Sequence, residues 1–206
     1  SQNKCRFSQA RILYDTVENV IYGFVSSPSG GANATIIKLN PLDGSRITHY
    51  TTILGTSYNY PSATGLTTDD INIYVPITVE DNGIVVINKS SGVPAFYPLP
   101  GTALMIGYGT NQSFFNDSNN VYFCCTDTPV NTYFNSFGIF SKSTNTYQII
   151  PLPSPWQCTA YGAGTSGLLA FIDTFTNKFY LLATKNTLNP GDPMVSTDRA
   201  LFALSD

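Results

Sequence analysis

The stretch INIYVPITVEDNGIVVINKSSGVPAFYPLP, residues 71–100, contains the pattern that decides the fold. Two apolar segments, Ile71–Val75 and Ile84–Asn88, are separated by a polar loop, and the turn Lys89–Gly92 leads to a third segment at Ala95–Leu99. Short apolar runs that are rich in β-branched and aromatic residues and bounded by turn formers are typical of β-strands. The stretch therefore predicts one antiparallel unit of consecutive strands.

The same unit recurs along the chain. The residues that close its second apolar segment are spaced by 48, 53 and 43, and they are Asn40, Asn88, Ser141 and Thr184. A period near 48 with three or four strands per unit is typical of propeller blades. One such sheet cannot bury both faces alone, whereas radial packing covers each face with a neighbour. We therefore predict an all-β fold, a small β-propeller of about four blades, with a β-sandwich as the alternative.

A single domain is predicted, with repeat units near residues 11–54, 61–101, 112–153 and 158–206. The innermost strand of each unit is predicted at residues 11–14, 62–66, 112–115 and 158–162. The fourth unit has no clear outer strand before the tail, and residues 199–204 are predicted to supply it. An apolar segment of this kind is expected to be paired, because natural sheets avoid exposed apolar edges.

The composition is poor in charge. Charged residues make up 11% of the chain, against about a quarter in ordinary globular domains. The lysines and arginines are scattered singly and the net charge is −3, which predicts no nucleic-acid partner. No apolar run is long enough for a transmembrane helix. The start at Ser1 is interpreted as a mature N-terminus left after removal of a signal peptide.

The cysteines indicate the compartment. An even number in a charge-poor chain predicts disulfides and a secreted, extracellular protein; they are Cys5, Cys124, Cys125 and Cys158. The preferred pairing joins Cys5, before the first unit, to Cys158, at the start of the fourth, and leaves Cys124 and Cys125 as a vicinal pair or as thiols. In the alternative pairing, one of these two bonds Cys158 and the other bonds Cys5. Buried thiols and a zinc site are the rival interpretations, although the cysteines lack paired zinc-ligand spacing.

Four Asn-x-Ser/Thr sequons are candidate glycosylation sites, at Asn33, Asn88, Asn111 and Asn116, and at least two of them are expected to carry glycans in a eukaryotic source. Each lies in a stretch that the sequence pattern predicts to be a loop or turn.

No catalytic, metal or cofactor site is predicted, and the protein is not expected to be an enzyme. The single histidine, His49, lies on an alternating outer strand where a solvated side chain is expected. The acids Asp69, Asp70 and Asp117 occupy turn positions, and Asp173 follows a strand without an evident partner. Oxygen-rich segments around Asp69 and Asp117 would suit calcium, but turn formation is the preferred interpretation.

These observations favour a secreted glycoprotein domain with a structural or adhesive role. It would act through contacts with other protein subunits, by self-association, as in an extracellular filament or surface layer. The alternative is a carbohydrate-binding, lectin-like module built on the many tyrosines. A repeated Gly-Thr at Gly55, Gly109 and Gly164 is interpreted as a connection between units, and Trp156 as part of an inter-unit crossing that covers the core.

Overall fold

The structure is a computed structural model. It describes residues 12–25, 34–52, 66–77, 82–101, 114–125, 135–153, 156–157, 170–173, 178–185 and 199–204. In these ranges the chain forms sixteen β-strands and no helix, arranged as four antiparallel sheets of four strands. The predicted all-β class is therefore confirmed. No helix with the length and apolar character needed to cross a membrane occurs among the described residues.

The first three sheets are simple meanders, in which each strand pairs with the next along the chain. Sheet 1 comprises β1 (Ile12–Asp15), β2 (Val20–Val25), β3 (Ala34–Leu39) and β4 (Arg46–Thr52). Sheet 2 comprises β5 (Thr67–Thr68), β6 (Asn72–Ile77), β7 (Gly83–Asn88) and β8 (Pro94–Pro98). Sheet 3 comprises β9 (Phe114–Asn116), β10 (Asn120–Cys125), β11 (Ser136–Ser141) and β12 (Thr146–Pro151).

Sheet 4 is not a simple meander, because its first three strands do not pair in chain order. Its strands are β13 (Trp156–Gln157), β14 (Ala170–Asp173), β15 (Lys178–Lys185) and β16 (Arg199–Leu204). Thr184 of β15 is paired with both Gln157 and Arg199, so β13 and β16 lie on opposite edges of β15. Strands β14 and β16 pair with the same residues of β15, Phe179–Leu181, so they also lie on opposite edges of it. Strands β13 and β14 therefore share one edge of β15. The predicted tail strand is confirmed, and it pairs within its own chain.

Several predicted strand positions are wrong. Residue 66 lies outside any strand, and the first strand of sheet 2 is the short pair Thr67–Thr68, because the turn at Asp69 follows directly. The first strand of sheet 3 ends at Asn116 rather than at residue 115. Trp156 lies in β13 and not in a crossing. The predicted strand at residues 158–162 lies outside the described residues.

The turn between the third and fourth strands is the same in sheets 1 to 3. The N–H groups of Gly44, Gly92 and Asn145 donate to the carbonyl four residues earlier, at 2.9, 2.8 and 2.9 Å. These three residues have φ of 70°, 70° and 56°, the left-handed region in which glycine and asparagine are favoured. The shared turn shows that the three sheets are structural repeats.

Sheet 2 is covered on both faces. Ile73 and Val75 of β6 pack with Tyr22 of sheet 1 in one buried cluster. Tyr74, between them in sequence, packs with Phe123 of sheet 3 in a second cluster. Because neighbouring side chains of a strand point to opposite faces, the three sheets are stacked in the order 1, 2, 3.

A close approach within sheet 3 shapes the second cluster. A Cβ built at Gly138 would lie 2.2 Å from the ring of Phe123, its cross-strand partner. The missing side chain therefore makes room for a large ring in the core between sheets 2 and 3. Phe137, the next residue back, points to the opposite face of sheet 3 and is also fully buried.

Candidate functional site

An aspartate turn joins the first two strands of sheets 1, 2 and 3. In sheet 2, Oδ1 of Asp69 accepts the N–H groups of Ile71 and Asn72 at 2.9 and 2.8 Å. In sheet 3, Asp117 accepts those of Asn119 and Asn120 at 2.8 and 2.7 Å. An aspartate that binds the backbone two and three residues ahead stabilises a tight turn. The prediction that these acids are turn formers is confirmed.

The second carboxylate oxygen of each aspartate accepts a hydrogen bond from a tyrosine of the second strand, which is buried in sheet 2 and partly buried in sheet 3. The hydroxyl of Tyr74 donates to Asp69 Oδ2 at 2.7 Å, and that of Tyr122 donates to Asp117 Oδ2 at 2.7 Å. An asparagine amide donates to each tyrosine hydroxyl at 3.3 Å, from Asn72 in sheet 2 and from the equivalent residue in sheet 3. The acid, amide and phenol thus form one unit that fixes the start of the second strand.

Sheet 1 carries a variant of this unit with a turn two residues longer. Asp15 accepts the N–H groups of Val17 and Glu18 at 3.0 and 3.1 Å. Glu18, rather than the aspartate, accepts the hydroxyl of Tyr22 at 3.0 Å. The longer turn therefore places two carboxylates where sheets 2 and 3 have one.

A lysine from the following sheet reaches each of the first two acidic turns. Lys89, after β7, pairs with Asp15 Oδ2 at 3.1 Å and with Glu18. Lys142, after β11, pairs with Asp69 Oδ2 at 2.8 Å and donates to the carbonyl of Asp117 at 2.6 Å. The two lysine side chains are only 9% and 10% exposed. Lys89 therefore makes two ion pairs across the interface of sheets 1 and 2, and Lys142 makes one across that of sheets 2 and 3.

The tyrosine rings also face these cations. The ammonium of Lys89 lies 5.3 Å from the ring centroid of Tyr22, and that of Lys142 lies 5.0 Å from that of Tyr74. Lys38, from sheet 1 itself, lies 5.7 Å from the Tyr22 ring and pairs with Glu18. Cation–π contacts of this kind add to ion pairs that are partly shielded from water.

The pKa shifts follow from these contacts. Burial alone would raise the pKa of Asp69, but hydrogen bonds from Lys142, Tyr74 and two backbone N–H groups outweigh it and hold the pKa at about 2. The pKa values of Asp15 and Glu18 are likewise lowered despite burial. Burial would lower the pKa of Lys89, but the two carboxylates raise it. The carboxylates of Asp15, Glu18 and Asp69 are therefore ionised at neutral pH, and the ammonium of Lys89 is charged.

The inner strands make a separate polar contact. Thr67 of β5 donates to Asn116 Oδ1 at 3.1 Å, and Asn116 Nδ2 donates to the carbonyl of Thr68 at 3.0 Å. Thr68 in turn donates to Asp15 Oδ2 at 3.0 Å. The first strands of three consecutive sheets are thus linked by side-chain hydrogen bonds.

A tyrosine bridges two strands of the neighbouring sheet. The N–H of Ile84 donates to the hydroxyl of Tyr147 at 3.0 Å, and this hydroxyl donates to the carbonyl of Tyr97 at 2.5 Å. Ile84 and Tyr97 are register partners in β7 and β8. The phenol from sheet 3 therefore bridges the backbones of this pair in sheet 2, and burial raises its pKa.

The other predicted site residues are dispersed. His49 is exposed in β4, as expected. Asn88 closes β7, and its side-chain oxygen accepts the N–H groups of Ser90 and Ser91 at 3.1 and 3.0 Å. Asn116 is the last residue of β9 and directly precedes the Asp117 turn, as Asn88 directly precedes its hairpin turn. Cys125 is buried in β10, directly after Cys124.

Most of the remaining predicted site residues lie outside the part of the chain that the structure describes. Asp173 ends β14. Cys5, Cys158, Asn33 and Asn111 lie outside the described residues, so the disulfide pairing and these two sequons stay predictions. Within the described ranges, no three His, Cys, Asp or Glu side chains are grouped as metal ligands would be.

Sequence reasoning missed the lysines and tyrosines of the acidic turns. A signal was present, since the pattern Asp-x-x-Asn-x-Tyr occurs at residues 69–74 and again at 117–122. A lysine also comes directly after the third strand of sheets 2 and 3, at Lys89 and Lys142. What the sequence did not show is that lysine and acid belong to different sheets.

No family model matches the chain, and no curated protein matches it either.

Proposed function

We propose that the four sheets are the blades of a small propeller. Sheet 2 is buried between sheets 1 and 3, which makes three stacked layers where a sandwich has two. The ion pairs of Lys89 and Lys142 join the same end of consecutive sheets. A radial arrangement has both properties.

The outward face of sheet 1 is where the ring would close. Ile12, Tyr14 and Ile47 are 68%, 51% and 54% exposed there, although they belong to an otherwise well-packed sheet. Sheet 4 is the remaining sheet among the described residues, and packing it on this face would bury these side chains.

Small-angle scattering of the monomer tests ring closure. A compact chain of this length has a radius of gyration of about 17 Å by the scaling of folded domains. A closed ring should give this value and a single-peaked distance distribution. A larger radius with an elongated distribution would show an open arc of sheets and refute the closed ring.

The role we propose for this domain is that of a secreted, glycosylated structural or adhesive module that acts by self-association. The observation that carries this is the set of exposed large apolar side chains at the turns of sheets 1 and 2, which ring closure would leave uncovered: Val17, Leu42, Ile71 and Val93. Exposed apolar patches are typical of protein–protein interaction sites. The predicted sequons and disulfides support an extracellular setting.

The test is the oligomeric state of natively purified, secreted protein. Sedimentation should show concentration-dependent association in the absence of any added ligand. A protein that stays monomeric, and that instead binds defined sugars on a glycan array, would replace this role with the lectin-like alternative.

A further inference from the structure

The connection into the last strand of sheet 4 is longer than its counterpart in sheet 3. In sheet 3, β11 and β12 are last paired at Ser141 and Thr146, with four residues between them. In sheet 4, β15 and β16 are last paired at Thr184 and Arg199, with residues 185–198 between them. The same step between strands therefore uses ten more residues in sheet 4.

The short turns of sheets 2 and 3 direct the fourth strand back onto the third. The N–H of Gly92 donates to the carbonyl of Asn88 at 2.8 Å, and that of Asn145 donates to the carbonyl of Ser141 at 2.9 Å. A segment of fourteen residues, by contrast, spans up to roughly 46 Å when extended, whereas paired strands lie only about 5 Å apart. Its length therefore allows β16 to reach a β15 other than its own.

Strand β16 is also placed so that it can be replaced. All six of its residues pair with β15, while β13 and β14 pair with the opposite edge of β15. Its departure would therefore leave the pairings of β13 and β14 intact. The edge of β15 would then present unpaired backbone groups, which bind another strand readily. An identical β16 fits this edge with the same residues in the same register.

We propose that the edge of β15 binds β16 from a second copy of this chain, and that two copies exchange this strand reciprocally. This proposal rests on the proposed self-association and names its surface and its partner. Exchange of an identical element between subunits is a low-cost route to a dimer, because each contact of the monomer is formed again in the dimer.

The connection sets the balance between monomer and exchanged dimer. Both states contain the same pairing of β15 with β16, so the advantage of the monomer is that its own strand is tethered nearby. Lengthening a flexible tether from four to fourteen residues lowers the effective concentration of the strand roughly sixfold, by the −3/2 power of length. The exchanged dimer should therefore form when the chain folds at high protein concentration.

The first test shortens the connection. Residues 186–198 are replaced by Ser-Thr-Asn, so that Lys185 and these three residues repeat the turn of residues 142–145. Both proteins are refolded from urea over a range of concentrations and examined by sedimentation velocity. The wild type should give a dimer fraction that rises with the concentration during refolding. The short-turn variant should stay monomeric and melt at or above the wild-type temperature, because its turn is closed.

The second test identifies the exchanged strand by cross-linking. Ala183 and Ala200 are register partners of β15 and β16. Chains carrying Ala183→Cys and chains carrying Ala200→Cys are mixed unfolded, refolded together and treated with a short thiol cross-linker. A link between the two kinds of chain, above the background of each variant mixed with wild type, is expected in the dimer. Ala203→Cys is the matched control, because Ala203 lies opposite Tyr180, roughly 10 Å along the strand from Ala183.

The outcomes separate the exchange from self-association in general. Undiminished dimer formation by the short-turn variant would overturn the exchange and leave self-association standing. A wild-type-length dimer whose Ala183→Cys and Ala200→Cys chains link no more than the control would do the same, and this result decides the question even if the short-turn variant fails to fold. A wild-type protein that is monomeric at every concentration, before and after refolding, would overturn both.

Discussion

Lys142 and Asp69 show how two residues from different sheets hold an interface together. The lysine ammonium contacts the carboxylate of Asp69, a backbone carbonyl and the face of the Tyr74 ring. An ion pair with this many additional partners contributes more than an exposed surface pair. Lys89 makes the same kind of contact with Asp15, so this ion pair between neighbouring sheets is repeated along the chain.

Lys142→Met should destabilise the fold by about 1–3 kcal/mol, because it leaves Asp69 partly buried without its cation. Methionine keeps the length of the aliphatic stem, so the loss is mainly electrostatic. Urea unfolding measures the effect, and Arg46→Met, at an exposed site, is the control that should change stability little. Equal midpoints for wild type and Lys142→Met would show that the pair contributes nothing.

The pH dependence of stability follows from Asp69. Its pKa is about 2 in the folded protein, against an ordinary aspartate value of 3.8. A lowered folded-state pKa stabilises fully above the unfolded value, and the stabilisation is lost as the pH falls through the folded value. Stability should therefore decrease between about pH 4 and pH 2, with Asp15 and Glu18 acting in the same direction. Asp69→Asn should show a shallower decrease in acid unfolding, and an unchanged slope would contradict this assignment.

Tyr147→Phe removes the hydroxyl that bridges Ile84 and Tyr97. The backbone N–H of Ile84 loses that acceptor in a buried position, and we expect a cost of about 1–3 kcal/mol. Tyr14→Phe is the matched control, because Tyr14 is 51% exposed and its hydroxyl binds only the nearby Asn19 among the contacts described. Chemical denaturation of the two variants should separate them clearly; similar losses would mean that the bridge is unimportant.

The two described sequons should differ in occupancy. Asn88 begins a hairpin turn, whereas the amide nitrogen of Asn116 donates to Thr68 between two sheets. A glycan on Asn116 would replace one of its amide hydrogens and crowd the inner strands. Peptide mapping of protein secreted from eukaryotic cells should find Asn88 modified and Asn116 unmodified, and full occupancy of Asn116 would contradict the described contact.

At the scale of secondary-structure elements, the tail strand is the informative case. All six residues of β16 pair with β15, from Arg199 opposite Thr184 to Leu204 opposite Phe179. Without β16, the edge of β15 would present unpaired backbone groups to water. The element therefore completes sheet 4 rather than extending from it.

Deletion of the residues from Arg199 onward should cause aggregation or a clear loss of thermal stability. Sedimentation and a melting curve of the truncated chain, compared with the full chain, check this. A truncated protein that remains monomeric and melts at the wild-type temperature would show that β16 contributes nothing to the fold.

For the whole molecule, the repeated ion pair predicts how sheets 3 and 4 meet. Asp15 and Asp69 each bind the lysine that follows the third strand of the next sheet. The sequence places Asp117 in sheet 3 and Lys185 at the end of β15, the corresponding strand of sheet 4. We expect these two residues to form the third pair of the series.

A double-mutant cycle with Asp117→Asn and Lys185→Met tests this pair. The coupling free energy should be at least about 0.5 kcal/mol and favourable, as for contacting charges. Asp117→Asn with Lys89→Met is the control, since Lys89 belongs to another interface and should show no coupling. Additive effects in the first cycle would place sheet 4 elsewhere.

The sequence by itself determined the all-β class, the strands near residues 20–25, 83–88 and 199–204, and the turn role of Asp69 and Asp117. These depend on local chemistry: alternation of apolar residues along a strand, and an aspartate that binds the backbone just ahead of it. Only the tertiary structure decided that Lys142 meets Asp69 and that Tyr147 bridges Ile84 and Tyr97. Such contacts join residues far apart in the chain, and they depend on how whole sheets stack. The stacking is set by the shapes of side chains on both faces, such as the Phe123 ring lying over Gly138, and no short-range pattern encodes it.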